Sequence, residues 1–152
     1  MDNQTIHTFK IIGIAVQTTN ENGQSGTDIP LLWNTFMTKG IIEGIPGKVD
    51  NTVYCMYTNY EKDHTKPYTT ILGCQVKSLD NIPRGMTGKI VEEGKYMKRK
   101  AKGNLLLRIV FNEWIKIWAL PIERCYTADF EVYGEKVQDP ENAEVDIFIA
   151  IK

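Results

Sequence analysis

The sequence predicts an α+β fold made of two tandem β-α-β-β units, with an antiparallel sheet, both helices on one face and a central groove. Three observations predict it. Strand-like and helix-like segments alternate in the same order in each half of the chain. Each half carries one amphipathic helix with tryptophan, Trp33 in the first and Trp114 with Trp118 in the second. The run Tyr57-Thr58-Asn59-Tyr60-Glu61 is echoed by Tyr126-Thr127-Ala128-Asp129-Phe130-Glu131, with one extra residue. Two copies are too few to stack as a solenoid. They can instead pack about a pseudo-two-fold axis, and a groove between the halves is a common place for a pocket.

The elements follow in order. Thr8 to Thr18 reads as a strand with both faces partly covered, because Ile12, Ile14 and Val16 alternate with Ile11, Gly13 and Ala15. Asn20 to Gly26 is a polar, glycine-rich loop. Asp28 is the expected N-cap and Pro30 suits a first helical turn. Leu32, Trp33, Phe36 and Met37 recur at helical spacing, and Gly40 is the expected stop. Thr52 to Tyr60 and Tyr68 to Lys77 read as a pair of strands around a polar turn, Glu61 to Pro67.

The second unit repeats the order. Gly88 to Ala101 carries a strand signal broken at Gly94. Gly103 and Asn104 offer a helix start, and Leu107, Val110, Phe111, Trp114 and Trp118 recur every three or four residues until Pro121. Cys125 to Tyr133 and Glu144 to Ile151 are strands around a turn holding Pro140. These boundaries predict one domain over 1–152, with repeat one over about 6–80 and repeat two over about 86–152.

Composition excludes several function classes. The chain has 152 residues, 42% hydrophobic and 24% charged, which suits a globular domain with a real core. A formal net charge of -1 argues against nucleic acid as a general partner. No apolar run approaches the roughly 18 residues of a membrane span, and the first ten residues lack a signal-peptide core. Three widely spaced cysteines, Cys55, Cys74 and Cys125, fit reduced thiols in a cytoplasmic protein. No nucleophile elbow, phosphate-binding glycine loop or metal-ligand spacing is present, so no cofactor or metal is expected. Glu61, Asp63 and His64 cluster in a loop but match no ligand pattern, and a solvated turn is expected. The basic run Lys95 to Lys102 is expected to guard a solvated strand edge.

The strongest local feature is Asp129-Phe130-Glu131-Val132-Tyr133. Strand alternation puts Glu131 and Tyr133 on one face and Phe130 and Val132 on the other. If Phe130 and Val132 face the helices, Glu131 faces away, unless a bend carries it into the groove. A carboxylate among aromatic rings suits an organic cation, through charge and ring quadrupole together. On pattern alone, a surface glutamate remains the plainer reading.

Taken together, several motifs resemble the GyrI-like domain, which also forms the effector-binding half of many AraC-type and MerR-type regulators. They are Ile29-Pro30-x-Leu32-Trp33, Val53-Tyr54-x-x-Tyr57-x-x-Tyr60-Glu61, Glu93-Gly94-x-Tyr96, Trp114-x-x-x-Trp118, Asp129 to Tyr133, and Val145 to Ile151. The resemblance spans about Phe9 to Ile151. It implies the tandem fold above and binding of amphipathic, often cationic, small molecules in the groove, with Glu131 as the central acid. The candidate ligand-binding residues are Glu131 and Tyr133 on the acidic strand, with Trp33 and Phe36 on the first helix. Tyr57 and Tyr68 on the first hairpin, and Trp114 and Trp118 on the second helix, complete the set. Some relatives resemble hydrolases of electrophilic compounds, so an alternative has Glu131 or Glu61 activating water as a general base. With no helix-turn-helix before the first strand, direct DNA contact is not expected. The expected partner is a small aromatic cation, and the expected role is sensing or sequestering it.

Overall fold

The computed structural model describes residues 2–152. Eight strands form one sheet: β1 (Asp2–Ile6), β2 (Phe9–Thr18), β3 (Val53–Thr58), β4 (Tyr68–Val76), β5 (Thr87–Val91), β6 (Gly94–Gly103), β7 (Ala128–Tyr133) and β8 (Ala143–Ala150). Helix α1 (Ser25–Thr38) follows β2, and α2 (Ile109–Trp118) follows β6. The sheet order is β1-β6-β8-β7-β3-β4-β2-β5, and every pairing is antiparallel.

That order is its own mirror about the β7–β3 junction. β2, β4 and β3 on one side match β6, β8 and β7 on the other. The short outer strands are exchanged: β1 precedes β2 but pairs with β6, while β5 precedes β6 but pairs with β2. The two crossing links touch, for the Glu93 N–H donates to Thr8 Oγ1 and His7 meets Glu93 at 2.8 Å. The sequence reading began the first strand near Thr8 and missed β1. It also read β5 and β6 as one interrupted strand. β1, Asp-Asn-Gln-Thr-Ile, is too polar to show a buried face, and each short strand pairs with a strand of the opposite half.

The ladder registers define the symmetry residue by residue. Laying β2 on β6 end to end puts Ile11 on Tyr96. Their partners Gln75 and Ala150 then coincide, so Gly73 falls on Phe148. Those pair with Tyr54 and Phe130, so Cys55 falls on Glu131 and Tyr57 on Tyr133. Cys55 and Glu131 are also direct cross-strand partners, which places the pseudo-axis between them. The sequence echo had instead matched Glu61 with Glu131. Glu61 lies in the exposed loop after β3, its N–H bonded to the Pro67 carbonyl.

The sheet is covered on both faces. On one, Leu32 and Phe36 of α1 pack on Ile12, Ile14, Leu72 and Cys74, and Trp114 and Ile117 of α2 pack on Met97, Val145, Ile147 and Ile149. The other face is closed by the sheet itself. Phe9 of β2 meets Phe130 of β7 at 5.3 Å although two strands lie between them, so the sheet must curl. Tyr96, Phe130 and Phe148 fill the inside of that curl. The pair Gly13 and Gly73 lets β2 and β4 approach closely: a Cβ on Gly13 would lie 1.9 Å from the Leu72 carbonyl oxygen.

Two local expectations are corrected. Helix α1 begins at Ser25, so Asp28 is inside the first turn rather than the N-cap, and Pro30 is inside the helix. The Asp28 carboxylate accepts from Thr18 Oγ1 and Gln24 Nε2, which ties the helix start to the end of β2. The basic run lies on β6, which is not a sheet edge, since β1 covers it. Three of its charges are paired: Lys98 with Asp146, Lys100 with Glu144, and Arg99 with Glu113.

Candidate functional site

Because Phe130 and Val132 face the inside of the curl, alternation turns Glu131 and Tyr133 toward the helices. This reverses the first orientation considered from sequence. Glu131 sits beneath a groove of about 670 Å³ between α1 and α2. Trp33 and Ile29 stand on the α1 wall, and Phe111, Trp114 and Trp118 on the α2 wall. Tyr57, Glu131 and Tyr133 form the floor.

Glu131 is 2% exposed, and both its carboxylate oxygens accept hydrogen bonds. Oε2 accepts from the Tyr57 hydroxyl at 2.6 Å and from Trp114 Nε1 at 2.7 Å. Oε1 accepts from the Tyr133 hydroxyl at 2.6 Å. Cys55 donates in turn to the Tyr57 oxygen at 3.4 Å. Burial pushes the Glu131 carboxyl above the usual carboxylate range, and the bonds from Tyr133, Tyr57 and Trp114 pull the other way. The hydroxyls of Tyr57 and Tyr133 are pushed well up, by burial first and then by neighbouring groups including Glu131, so they remain donors. Among the described residues Glu131 takes part in no ion pair. A hydrogen-bonded carboxylate with no fixed cation, under aromatic walls, has the chemistry to pair with a positive charge.

The pseudo-symmetry extends to the walls. Trp114 meets the Tyr57 ring edge-on at 5.5 Å, and Trp33 meets Tyr133 edge-on at 4.9 Å. Only Trp114 reaches the carboxylate.

A smaller recess of about 80 Å³ opens beside the groove and shares Tyr57, Trp114 and Trp118 with it. Tyr68 lines the recess and donates its hydroxyl to Asn20 Oδ1 at 2.6 Å. Seven of the eight candidates from sequence therefore stand on the groove or its recess. Phe36 does not: it is 1% exposed and packs in the core beneath α1, where its ring meets Trp33 edge-on at 6.5 Å.

Sequence reasoning missed Arg124, Phe111 and His64. The expected turn is there and mostly exposed, but His64 within it is partly buried. Its ring stacks on Trp118 at 5.3 Å and lines the recess. Burial first, then Arg124, lowers its pKa, so the ring favours its neutral form. Neighbouring Asp63 turns away to bond Thr65. No helix of the described residues is long and apolar enough to cross a membrane.

A helix-flanked aromatic groove over a buried acid, in a curled two-fold sheet, defines a GyrI-like effector-binding domain. The chain belongs to the family described as Cass2, integron-associated effector binding protein, which matches residues 4–151. An integron cassette protein from Vibrio cholerae is similar in structure, with a TM-score of 0.74 and 29% identity, covering 99% of this chain and 95% of that one. The protein SAV2435, solved bound to tetraphenylphosphonium, shares the fold with a TM-score of 0.80 at 15% identity, over 99% of this chain and 93% of its own. In sequence, the chain is 26% identical over 127 residues to "Putative transcriptional regulator protein YobU" of Bacillus subtilis (strain 168), covering 82% of this chain and 79% of that protein.

Proposed function

We propose that the groove binds amphipathic aromatic cations, and that the protein senses or sequesters such compounds. One observation carries the reading: Glu131 is buried, accepts three hydrogen bonds and has no ion-pair partner among the described residues. Its carboxyl is held in place at the bottom of an aromatic groove with no fixed cation beside it, and an incoming cation favours its ionised form. Tetraphenylphosphonium, the compound bound to SAV2435, is a cation of this class. Glu131 supplies the counter-charge, Tyr57 and Tyr133 hold it in one geometry, and Trp33, Trp114 and Trp118 supply ring faces.

Calorimetry with tetraphenylphosphonium on the wild type and Glu131→Gln tests this. A charge-assisted contact contributes about 1.5–3 kcal/mol, so the variant binds at least about tenfold more weakly. A neutral aromatic of similar shape loses little. Equal affinity of both proteins for the cation would remove Glu131 from the site.

A further inference from the structure

The recess beside the groove holds a guanidinium with donors to spare. The Arg124 side chain is 4% exposed. Its Nη2 donates to Asp129 Oδ2 at 2.8 Å. Nε and Nη1 are enclosed and have no hydrogen-bond partner among the described residues. Asp129 offers them little, since Oδ2 also accepts from Tyr60 at 2.6 Å and Oδ1 accepts from the Ala150 N–H at 2.8 Å. The guanidinium lies over the Tyr126 ring at 4.4 Å, and Tyr126 holds a left-handed φ of 56°. Leaving buried donors unpaired costs about 1–3 kcal/mol each, a penalty that an incoming acceptor would relieve.

Arg124 lines the recess together with the stacked pair of His64 and Trp118. One indole joins it to the groove: Trp114 donates to Glu131 through Nε1, and its ring centre lies 5.8 Å from the Arg124 guanidinium carbon. A ligand lying along Trp114 thus has the Glu131 carboxylate near one end and the Arg124 guanidinium near the other. About 80 Å³ is room for a compact group, because a single water needs only roughly 10–15 Å³.

We infer that the recess is an acceptor subsite of the groove, in which Arg124 receives a carboxylate or carbonyl oxygen carried on a short arm by the aromatic cation. This rests on the groove reading above and narrows it from aromatic cations in general to those with a hydrogen-bond acceptor. If Arg124 served only to neutralise Asp129, one of its nitrogens would suffice and the recess would add nothing to recognition.

The test uses triphenylphosphonium probes that differ only in the arm, pentyl against 4-carboxybutyl, measured by calorimetry on the wild type, Arg124→Lys and Glu131→Gln. The wild type binds the carboxybutyl probe at least about threefold more tightly than the pentyl probe. Arg124→Lys keeps a cation beside Asp129 but loses the fork of donors, and its preference ratio falls to about one. Equal binding of the two probes by the wild type, or a preference that survives in Arg124→Lys, overturns the subsite. Pentyl binding that Glu131→Gln weakens, with no preference for the carboxylate, sinks the subsite alone; no binding of either probe sinks the groove reading as well. Should Arg124→Lys fail to fold, a crystal of the wild type with the carboxybutyl probe decides. A carboxylate seated against Arg124 supports the inference, and one pointing to solvent defeats it.

Discussion

Tyr57 and Tyr133 are symmetry mates across the centre of the sheet, and each donates its hydroxyl to a different oxygen of the same carboxylate at 2.6 Å. The carboxylate belongs to Glu131, whose own mate is Cys55. The two halves are thus alike in their clamp and unlike in what it holds. One negative charge stands near the axis instead of two, which spares the sheet the repulsion of facing carboxylates.

The two clamps are unequal, and their removal separates them. Tyr57→Phe leaves Oε2 the Trp114 donor, and the Cys55 thiol already interacts with the same carboxylate. Tyr133→Phe takes away the donor recorded for Oε1. Hydrogen bonds to charged groups contribute about 1.5–3 kcal/mol, so Tyr133→Phe lies toward the upper end of that range and Tyr57→Phe toward the lower. Urea unfolding at pH 7 ranks them. A larger loss for Tyr57→Phe would contradict the donor arrangement.

The stability of Glu131→Gln relative to wild type depends on pH with a definite sign. Burial raises the Glu131 pKa in the native state. Native protein therefore keeps this proton at a pH where the unfolded chain has lost it. The associated stability is fully present below the unfolded value of about 4.3, and it is lost as pH rises through the native value. Glutamine does not titrate, so the variant gains on the wild type between pH 4 and pH 8. Paired urea melts at those two pH values check this, and a gap moving the other way would mean that the hydrogen bonds outweigh burial.

Two indoles on opposite walls report ligand entry. Trp33 and Trp118 both line the groove. Stacking of an aromatic ligand changes wild-type tryptophan emission, and Trp33→Phe and Trp118→Phe each lower affinity. Unchanged emission at saturating tetraphenylphosphonium, with calorimetry showing normal binding by both variants, would place the ligand elsewhere.

Gly13→Ala destabilises the protein, although alanine in a strand ordinarily beats glycine by about 0.5–1 kcal/mol. The new Cβ would meet the Leu72 carbonyl oxygen at 1.9 Å and the Gly73 Cα at 2.5 Å, and backbone atoms cannot rotate away. Overpacking costs about 1–3 kcal/mol or more, and each kcal/mol lowers Tm by roughly 2–4 °C in a chain of this size. A melting scan measures the shift, and an unchanged or raised Tm would show that β2 and β4 can part at no cost.

By itself the sequence determined the α+β class, the two helices, most of the strands and the importance of Asp129 to Tyr133. These are legible because helix and strand periodicity and turn residues act over a few positions. It also named Trp33, Trp114 and Trp118 as candidates for the groove. Only the tertiary structure decided which face of β7 meets the helices, because period-two alternation separates two faces without saying what covers either. The curl of the sheet settled it by drawing Phe9, Tyr96 and Phe148 around Phe130, which left the helix side to Glu131. The exchanged strands β1 and β5, the Cys55–Glu131 axis and the position of Arg124 over the Tyr126 ring depend on contacts between residues far apart in the chain. Local sequence carries no record of them: an arginine before a cysteine looks the same whether it meets solvent or a buried aspartate.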